Sequence, residues 1–228
     1  MEEEFKFEKA KNLIKVINRS NLVGNWITSE IIKPNLEDRI NCLIKIIKIA
    51  KIVKDYHNYN LLVEILSGLG SNPVYRLKKT WDELPENIMN IYNELIELIN
   101  PKGSYKNLRK ELTKYNPPVM PYLGMHLTDL LFIEDGNPDI KENNLINWSK
   151  RKLQAEIIRS IQMYQQMSFD KLFENNSQDF DNSNSNSNSN LDQLELLLES
   201  SELEKRCESM DILYEKSLEF EPRQKLIL

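Results

Sequence analysis

Apolar residues recur at every third or fourth position along most of this sequence, which is the spacing that places side chains on one face of an α-helix. The clearest stripes lie at 40–53, 62–69, 88–99 and 146–164. Gly70 and Pro85 stand between stripes, where one helix should end and another begin. Leu, Ile, Lys and Glu, which favour helices, are abundant, and glycine occurs only 6 times. We therefore predict an all-α fold.

Two of these stripes support more detailed predictions. The helix at 40–53 is apolar on two sides, one formed by Ile40, Leu43, Ile44 and Ile47 and the other by Ile46, Ile49 and Val53. Because the apolar side chains on both sides must be buried against other elements, we predict that this helix lies inside a helical assembly. The stripe at 146–164 is accompanied by Lys150, Arg151, Lys152 and Arg159. We interpret these four cations as a solvated basic side of that helix.

Composition and charge narrow the class of protein. The 228 residues are 40% hydrophobic, which is enough for one main domain with a sizeable core. The net charge is -5, with the acidic excess concentrated in 170–211, and the remaining basic residues are too few and scattered to predict a nucleic-acid partner. Cys42 and Cys207 lack metal-ligand spacing, so we expect reduced packing thiols. No apolar run reaches the roughly 18 to 20 residues of a membrane span, so we expect no transmembrane segment and a cytoplasmic location.

The sequence lacks the patterns that bind phosphates or metals. Neither GxxxxGK[ST] nor GxGxxG is present, so we expect no direct nucleotide binding. His57 and His126 are far apart, and no His/Cys cluster has zinc spacing. Adjacent carboxylates such as Glu134 and Asp135 are common on helix surfaces and do not by themselves indicate hydrolysis. We therefore expect neither a metal nor a cofactor.

Three ordered segments resemble one known family. The first is SGLGSNPVYRLKKTWDELP at 67–85. The second is PYLGMHLTDLLFIEDGNP at 121–138, continued by LINWSKRKLQAEIIRSIQMYQQ at 145–166, and the third is LYEKSLEFEPR at 213–223. Together they resemble the catalytic domain of Ras-family guanine-nucleotide exchange factors, the RasGEF domain, in the right order from about Asn12 to Arg223.

The resemblance implies an irregular multi-helical bowl from which a helical hairpin protrudes. Its first helix would cover about 123–134 and its second about 144–166, with a turn at Gly136, Asn137 and Pro138. The sequence pattern agrees with this hairpin, since Gly-Asn-Pro favours a break and the segments on both sides of it have helical spacing. In the family, this hairpin is pushed between the two switch segments of a small GTPase and opens the nucleotide site.

The resemblance also assigns catalytic roles on the first hairpin helix. Thr128, Leu131 and Asp135 are spaced three and four apart and therefore lie near one face. Leu131 would fill the space of the GTPase's Mg²⁺ ion, and Asp135 would accept a hydrogen bond from the phosphate-loop Ser/Thr that had held the metal. An apolar group and an added negative charge in place of a cation weaken phosphate binding. Family members usually carry Glu at this position, so Asp135 reaches one methylene less far. Without the resemblance, Leu131 would be interpreted as a core leucine.

Further residues are implied to bind the partner, a small GTPase of the Ras, Rap or Ral type. Tyr122, Phe132 and Asn137 belong to the hairpin region. Ile14, Ile17 and Arg19 belong to the opening segment NLIKVINRSNLVGNW and would hold the second switch. Packing inside the domain is the alternative role for Ile14 and Ile17. Recruitment to the membrane would occur through the GTPase.

We predict one RasGEF-like domain over 1–223, a disordered Asn/Ser-rich insertion at 176–192 and a tail at 224–228. The family domain normally begins some tens of residues farther upstream, which implies either an N-terminally shortened relative or part of a longer product. Two functions stay open. Asp135 favours an active exchange factor, whereas missing N-terminal helices would favour a catalytically weak relative that binds a GTPase or another protein as a scaffold.

Overall fold

The computed structural model describes residues 9–167 and 200–223, and these contain α-helices, one short 3-10 helix and no β-strand. The predicted all-α class is therefore confirmed. The described residues group into two compact units, the first formed by 9–52, 61–95 and 200–223 and the second by 53–60 and 96–167. The insertion predicted at 176–192 and the tail at 224–228 lie outside the described residues.

The helices follow the apolar stripes of the sequence. In chain order they are α1 (Lys11–Ile31), α2 (Leu36–Asp55), α3 (Tyr59–Leu69), α4 (Asn72–Tyr75), α5 (Lys78–Asp82), α6 (Glu86–Leu98), α7 (Lys102–Leu112), α8 (Leu123–Gly136), α9 (Trp148–Tyr164), α10 (Ser200–Arg206) and α11 (Met210–Phe220). As predicted, α3 ends just before Gly70 and α6 begins just after Pro85. None of the described helices combines the length and the apolar character that crossing a bilayer demands.

Within the first unit, α1 and α3 cross closely at two glycines. A Cβ atom added to Gly68 would lie 2.7 Å from the carbonyl oxygen of Gly24 and 2.8 Å from the side chain of Ile27. Only glycine permits so close an approach. Beside the crossing, Thr28 Oγ1 forms a hydrogen bond of 3.0 Å with Ser71 Oγ. Gly68, the first glycine of the SGLG sequence at 67–70, therefore allows the two helices to pack closely.

A buried polar cluster ties three segments of the first unit together, and we call it the Arg39 cluster. Arg39 Nη2 lies 3.3 Å from Glu221 Oε1, and Arg39 Nε donates to Thr80 Oγ1 at 3.0 Å. Glu221 also accepts hydrogen bonds from the backbone N–H groups of Lys79 at 2.9 Å and Thr80 at 3.1 Å. Arg76 donates to the carbonyl oxygens of Ser217 and Glu221. The segments 67–85 and 213–223, which carry two of the three resemblances, are thus bonded to each other.

The prediction that α2 is covered on two sides holds for the first stripe and only in part for the second. Leu43, Ile46 and Ile47 are buried, but Ile49 and Ile52 are exposed. Ile46 and Ile49 belong to the same predicted stripe, so only part of that stripe meets a neighbour. Apolar spacing shows which residues share a face, but it does not show whether another element covers the whole of it.

The two cysteines lie in the first unit and are both free, as expected. Burial raises the pKa of the Cys42 thiol, which keeps it protonated at neutral pH. Cys207 follows α10, and its thiol donates to the carbonyl oxygen of Leu22 in α1 at 3.6 Å. With Leu203 buried in the same contact region, Cys207 helps to attach α10 to α1.

Candidate functional site

Helices α8 and α9 form an antiparallel pair in the second unit. Glu134, near the end of α8, lies 3.0 Å from the ammonium group of Lys150, near the start of α9. At the other end of the pair, the rings of His126 and Tyr164 have centroids 6.4 Å apart. We call α8, the connecting segment 137–147 and α9 the hairpin. Its first helix is close to the predicted 123–134.

The second helix begins four residues later than predicted. The expected start at 144 is instead the last residue of a 3-10 turn, Glu142–Asn144, and Asn147 caps α9 by accepting a hydrogen bond from the backbone N–H of Lys150 at 3.3 Å. Asn147 also donates to the carbonyl oxygen of Pro138 at 2.9 Å. These local bonds hold the connecting segment in a defined shape.

One face of α8 is open to solvent, and it carries four of the predicted residues. Leu131 is 57% exposed and Phe132 is 68% exposed. Thr128 and Asp135 are exposed as well, and the spacing of the four places them within one broad face of the helix. Leu131 is therefore not a core residue of this chain. We refer to Thr128, Leu131, Phe132 and Asp135 as the open face of α8.

The opposite side of α8 is anchored within the second unit. Met125 and His126 are buried, and Asp129 accepts two hydrogen bonds from the Arg109 guanidinium at 2.7 and 2.8 Å. At the start of the helix, the backbone N–H of Leu123 donates to the side chain of Asn60 at 3.3 Å. Because the anchored side is fixed, the direction of the open face is fixed as well.

Tyr122, predicted to bind the partner, immediately precedes α8 and is half-buried. Its ring meets that of Tyr105 edge to face, with centroids 5.6 Å apart, and burial raises the pKa of its hydroxyl. Ser104 and Tyr105 both have left-handed backbone dihedrals, which L-residues adopt only at a cost. Arg109 also donates to the carbonyl oxygen of Ser104 at 2.7 Å, so the same guanidinium holds this turn and α8.

The last turn of α8 is bound by a network from α9 and the connecting segment. Asn137, another predicted partner-binding residue, donates to the carbonyl oxygen of Ile133 at 3.0 Å. Lys150 lies 2.8 Å from Asp139 Oδ1, and this hydrogen bond lowers the pKa of the Asp139 carboxyl. Gln154 donates to Glu134 at 2.8 Å. Asp135, by contrast, points to the exposed side.

The interpretation of Lys150 as part of a solvated basic side is wrong. Its side chain is only 2% exposed, whereas Arg151, Lys152 and Arg159 are exposed as expected. The error arose because helical spacing alone cannot show that acidic residues of the preceding helix and connecting segment converge on one cation. Arg109 was missed for the same reason, since its partner Asp129 is 20 residues away.

The predicted residues of α1 belong to the first unit. Ile17 is exposed, while Ile14 and Arg19 are partly buried. Ile17 therefore offers apolar surface, whereas that of Ile14 is partly covered. The described residues contain no group of three or more His, Cys, Asp and Glu side chains arranged to hold a metal ion.

Comparison with known proteins decides the family. The model of the RasGEF domain matches residues 1–152 of this chain. This chain belongs to the RasGEF domain family. The family resemblance expected from the three sequence segments is thereby confirmed.

RasGEF relatives cover most of the chain. Ras guanine nucleotide exchange factor Y of Dictyostelium discoideum is 45% identical over 162 residues, which are 71% of this chain and 11% of that protein. Ras-specific guanine nucleotide-releasing factor 2 of Rattus norvegicus is 34% identical over 219 residues, or 96% of this chain and 17% of that protein. Ras-specific guanine nucleotide-releasing factor 1 of Homo sapiens is 34% identical over 219 residues, or 96% of this chain and 16% of that protein. The chain thus spans less than a fifth of the length of each of these relatives.

Proposed function

We propose that this chain is a guanine-nucleotide exchange module that stimulates GDP release from a Ras-family small GTPase. The observation that carries the proposal is the open face of α8, where two large apolar side chains and a carboxylate are exposed on an otherwise anchored helix. Exposed apolar groups of this kind mark interaction sites. Family membership and the names of the relatives, which are exchange or releasing factors for Ras, support the same function.

The proposed mechanism is substitution at the metal site of the GTPase. The hairpin enters between the switch segments, Leu131 occupies the space of the Mg²⁺ ion, and Asp135 accepts a hydrogen bond from the Ser/Thr that had held it. Thr128 contacts the GTPase from the same face of α8. Removing a divalent cation and adding a carboxylate both disfavour bound phosphates. Nucleotide release then follows without any covalent step.

Other residues would hold the GTPase while its site is open. Phe132 extends the apolar face beside Leu131, and Tyr122 and Asn137 contribute near the two ends of α8. In the first unit, Ile14 and Ile17 would supply an apolar wall for the second switch, with Arg19 beside it. The exchange domain would extend over 1–223, and the partner would be of the Ras, Rap or Ral type. The module would act in the cytoplasm and reach membranes through its GTPase.

The energy that this mechanism needs is within the range of a protein interface. Each difference of about 1.4 kcal/mol in binding between the nucleotide-free and loaded GTPase changes release tenfold. A roughly 10⁵-fold acceleration therefore needs about 7 kcal/mol of differential binding. An interface with an aromatic and aliphatic centre can supply that amount.

A nucleotide-release assay tests the proposal directly. Ras, Rap and Ral proteins are loaded with fluorescent GDP, and release is followed with and without the chain. We expect acceleration for at least one of them, together with tightest binding to the nucleotide-free form and dissociation by added Mg²⁺ and GDP. Equal binding to loaded and empty GTPase, without acceleration, would contradict exchange. That result would favour the second candidate, a catalytically weak relative that binds a GTPase or another protein as a scaffold, because Asp135 keeps the negative charge but reaches one methylene less far than Glu.

A further inference from the structure

Lys150 carries a buried positive charge on a hairpin that is otherwise widely exposed. Its side chain is 2% exposed, and Nζ lies 3.0 Å from Glu134 Oε1, 3.2 Å from the Glu134 carbonyl oxygen and 2.8 Å from Asp139 Oδ1. An ammonium group has three N–H donors, so these three acceptors can use all of them. Such an arrangement fixes the geometry more than one surface ion pair would.

The three acceptors belong to two different parts of the hairpin. Glu134 lies in the last turn of α8, and Asp139 lies in the connecting segment. The last carbonyl groups of a helix lack partners within the helix and carry partial negative charge. Because α8 ends at Gly136, the carbonyl oxygen of Glu134 is one of these groups. Lys150, which lies in the neighbouring helix, therefore caps the carboxyl end of α8 by donating to one of its last carbonyl groups.

Asp135 follows Glu134 directly in the same turn. The backbone that Lys150 holds at Glu134 is thus the backbone that sets the position of the Asp135 carboxylate. Without the ammonium group, Asp139 would keep its ion pair of 2.7 Å with the exposed Arg151, but the carboxylate and the carbonyl oxygen of Glu134 would lose their buried cation next to the charge of Asp135. Like charges repel, and the unpartnered carbonyl would turn to solvent, so the turn would loosen.

We propose that Lys150 is a positioning residue for nucleotide exchange, which holds the last turn of α8 so that Asp135 stands in a fixed place. The inference rests on the proposed exchange function, because the position of Asp135 matters for release only if α8 enters a GTPase. Lys150 touches neither the GTPase nor its nucleotide in this role. A displacement of about 1 Å in a reacting or orienting group can cost up to about 100-fold in rate.

The test compares Lys150→Met with Lys152→Met in the full chain. Both variants replace an ammonium group by an apolar side chain of similar length, and Lys152 is exposed two positions farther along the same helix. Amide hydrogen exchange is measured on the protein alone, and fluorescent GDP release is measured at varied concentrations of the GTPase on which the wild type acts best. Circular dichroism reports whether each variant folds.

We expect amides of residues 131–137 to exchange faster in Lys150→Met and to be unchanged in Lys152→Met. The kcat of nucleotide release should fall at least about tenfold in Lys150→Met, while KM for the GTPase changes less than about twofold. If Lys150→Met does not fold, Asp139→Asn removes the negative charge of one partner of Lys150 while keeping an acceptor oxygen, and it should cause the same changes to a smaller degree. A purely structural role would instead lower the folded fraction and leave kcat per folded molecule intact.

Two negative results have different meanings. If the wild type accelerates release but Lys150→Met keeps its kcat, or its 131–137 amides remain protected, the positioning role is overturned and the exchange function stands. If the wild type itself accelerates no GTPase, the exchange function fails and the positioning role fails with it. Hydrogen exchange would still show in that case whether Lys150 holds the turn.

Discussion

Arg39 and Glu221 form a buried ion pair across 182 positions of sequence, with Nη2 and Oε1 3.3 Å apart. The pair is completed by Thr80, whose backbone N–H donates to the same carboxylate, so both charges have several partners. In an apolar interior, a charge that loses its partner is far more costly than the intact pair is stabilising. The first unit therefore depends on a contact between segments that are distant in the chain.

Glu221→Gln should destabilise the first unit by about 3 to 5 kcal/mol, because it leaves the guanidinium of Arg39 buried without a counter-charge. Urea unfolding followed by fluorescence measures the change. Glu219→Gln, which alters an exposed carboxylate two positions away, should stay within about 0.5 kcal/mol of the wild type. Equal stability of the two variants would show that the Arg39 cluster is not a stabilising centre.

Leu131→Ala should reduce nucleotide release strongly and change stability by no more than about 0.5 kcal/mol, since the side chain is mostly exposed. Thermal unfolding and fluorescent GDP release are measured on the same preparation. Met125→Ala is the matched control, because Met125 is buried in the same helix and its truncation should cost about 2 to 5 kcal/mol. Marked destabilisation by Leu131→Ala, with release in proportion to the folded protein, would remove the proposed role.

Asp135→Asn should slow nucleotide release about 10- to 100-fold while the protein remains folded, because a hydrogen bond to a charged group is worth about 1.5 to 3 kcal/mol. Asp135→Glu should raise release above the wild type, since it restores one methylene of reach. Release rates at a fixed GTPase concentration measure both effects. Glu142→Gln changes an exposed carboxylate of the connecting segment and should have no effect. A wild-type rate for Asp135→Asn would exclude the carboxylate from the mechanism.

The stability of the second unit should fall on acidification because of His126. Burial, aided by the nearby Arg109, lowers the pKa of His126, and Asp129 opposes this only in part. As pH falls through about 6.5, His126 therefore takes up a proton in the unfolded chain more readily than in the folded chain. The free energy of unfolding can fall by as much as about 1.4 kcal/mol per pH unit.

His126→Phe should reduce that loss, because it keeps a ring in place and removes the titrating group. Thermal unfolding of both proteins between pH 7.5 and 5.5 measures the difference. Neither ring nitrogen of His126 has a hydrogen-bond partner among the described residues, so the substitution breaks no such bond there. An equal pH dependence in the variant and the wild type would assign the acid sensitivity to other groups.

Local patterns predicted much of the fold but not the contacts that fix it. The family resemblance implied a helix at 123–134, the Gly-Asn-Pro break agreed with it as a local signal, and α8 is observed at Leu123–Gly136. The exposure of Leu131 followed from the family resemblance, since periodicity alone favoured a core position. Arg39, Arg109 and Lys150 gave no usable signal, because each depends on a partner brought close by tertiary structure.

The Arg39 cluster also limits when the first unit can finish folding during synthesis of the chain. When residues up to Tyr164 have emerged from the ribosome, α1 to α6 have already been synthesised. Glu221, whose carboxylate pairs with Arg39, has not. Contacts between distant segments form late and slow folding. A nascent chain at that stage would expose the surfaces that later receive α10 and α11, and exposed apolar surface promotes aggregation. The first unit thus begins at α1 but can be completed only when Glu221 has been added.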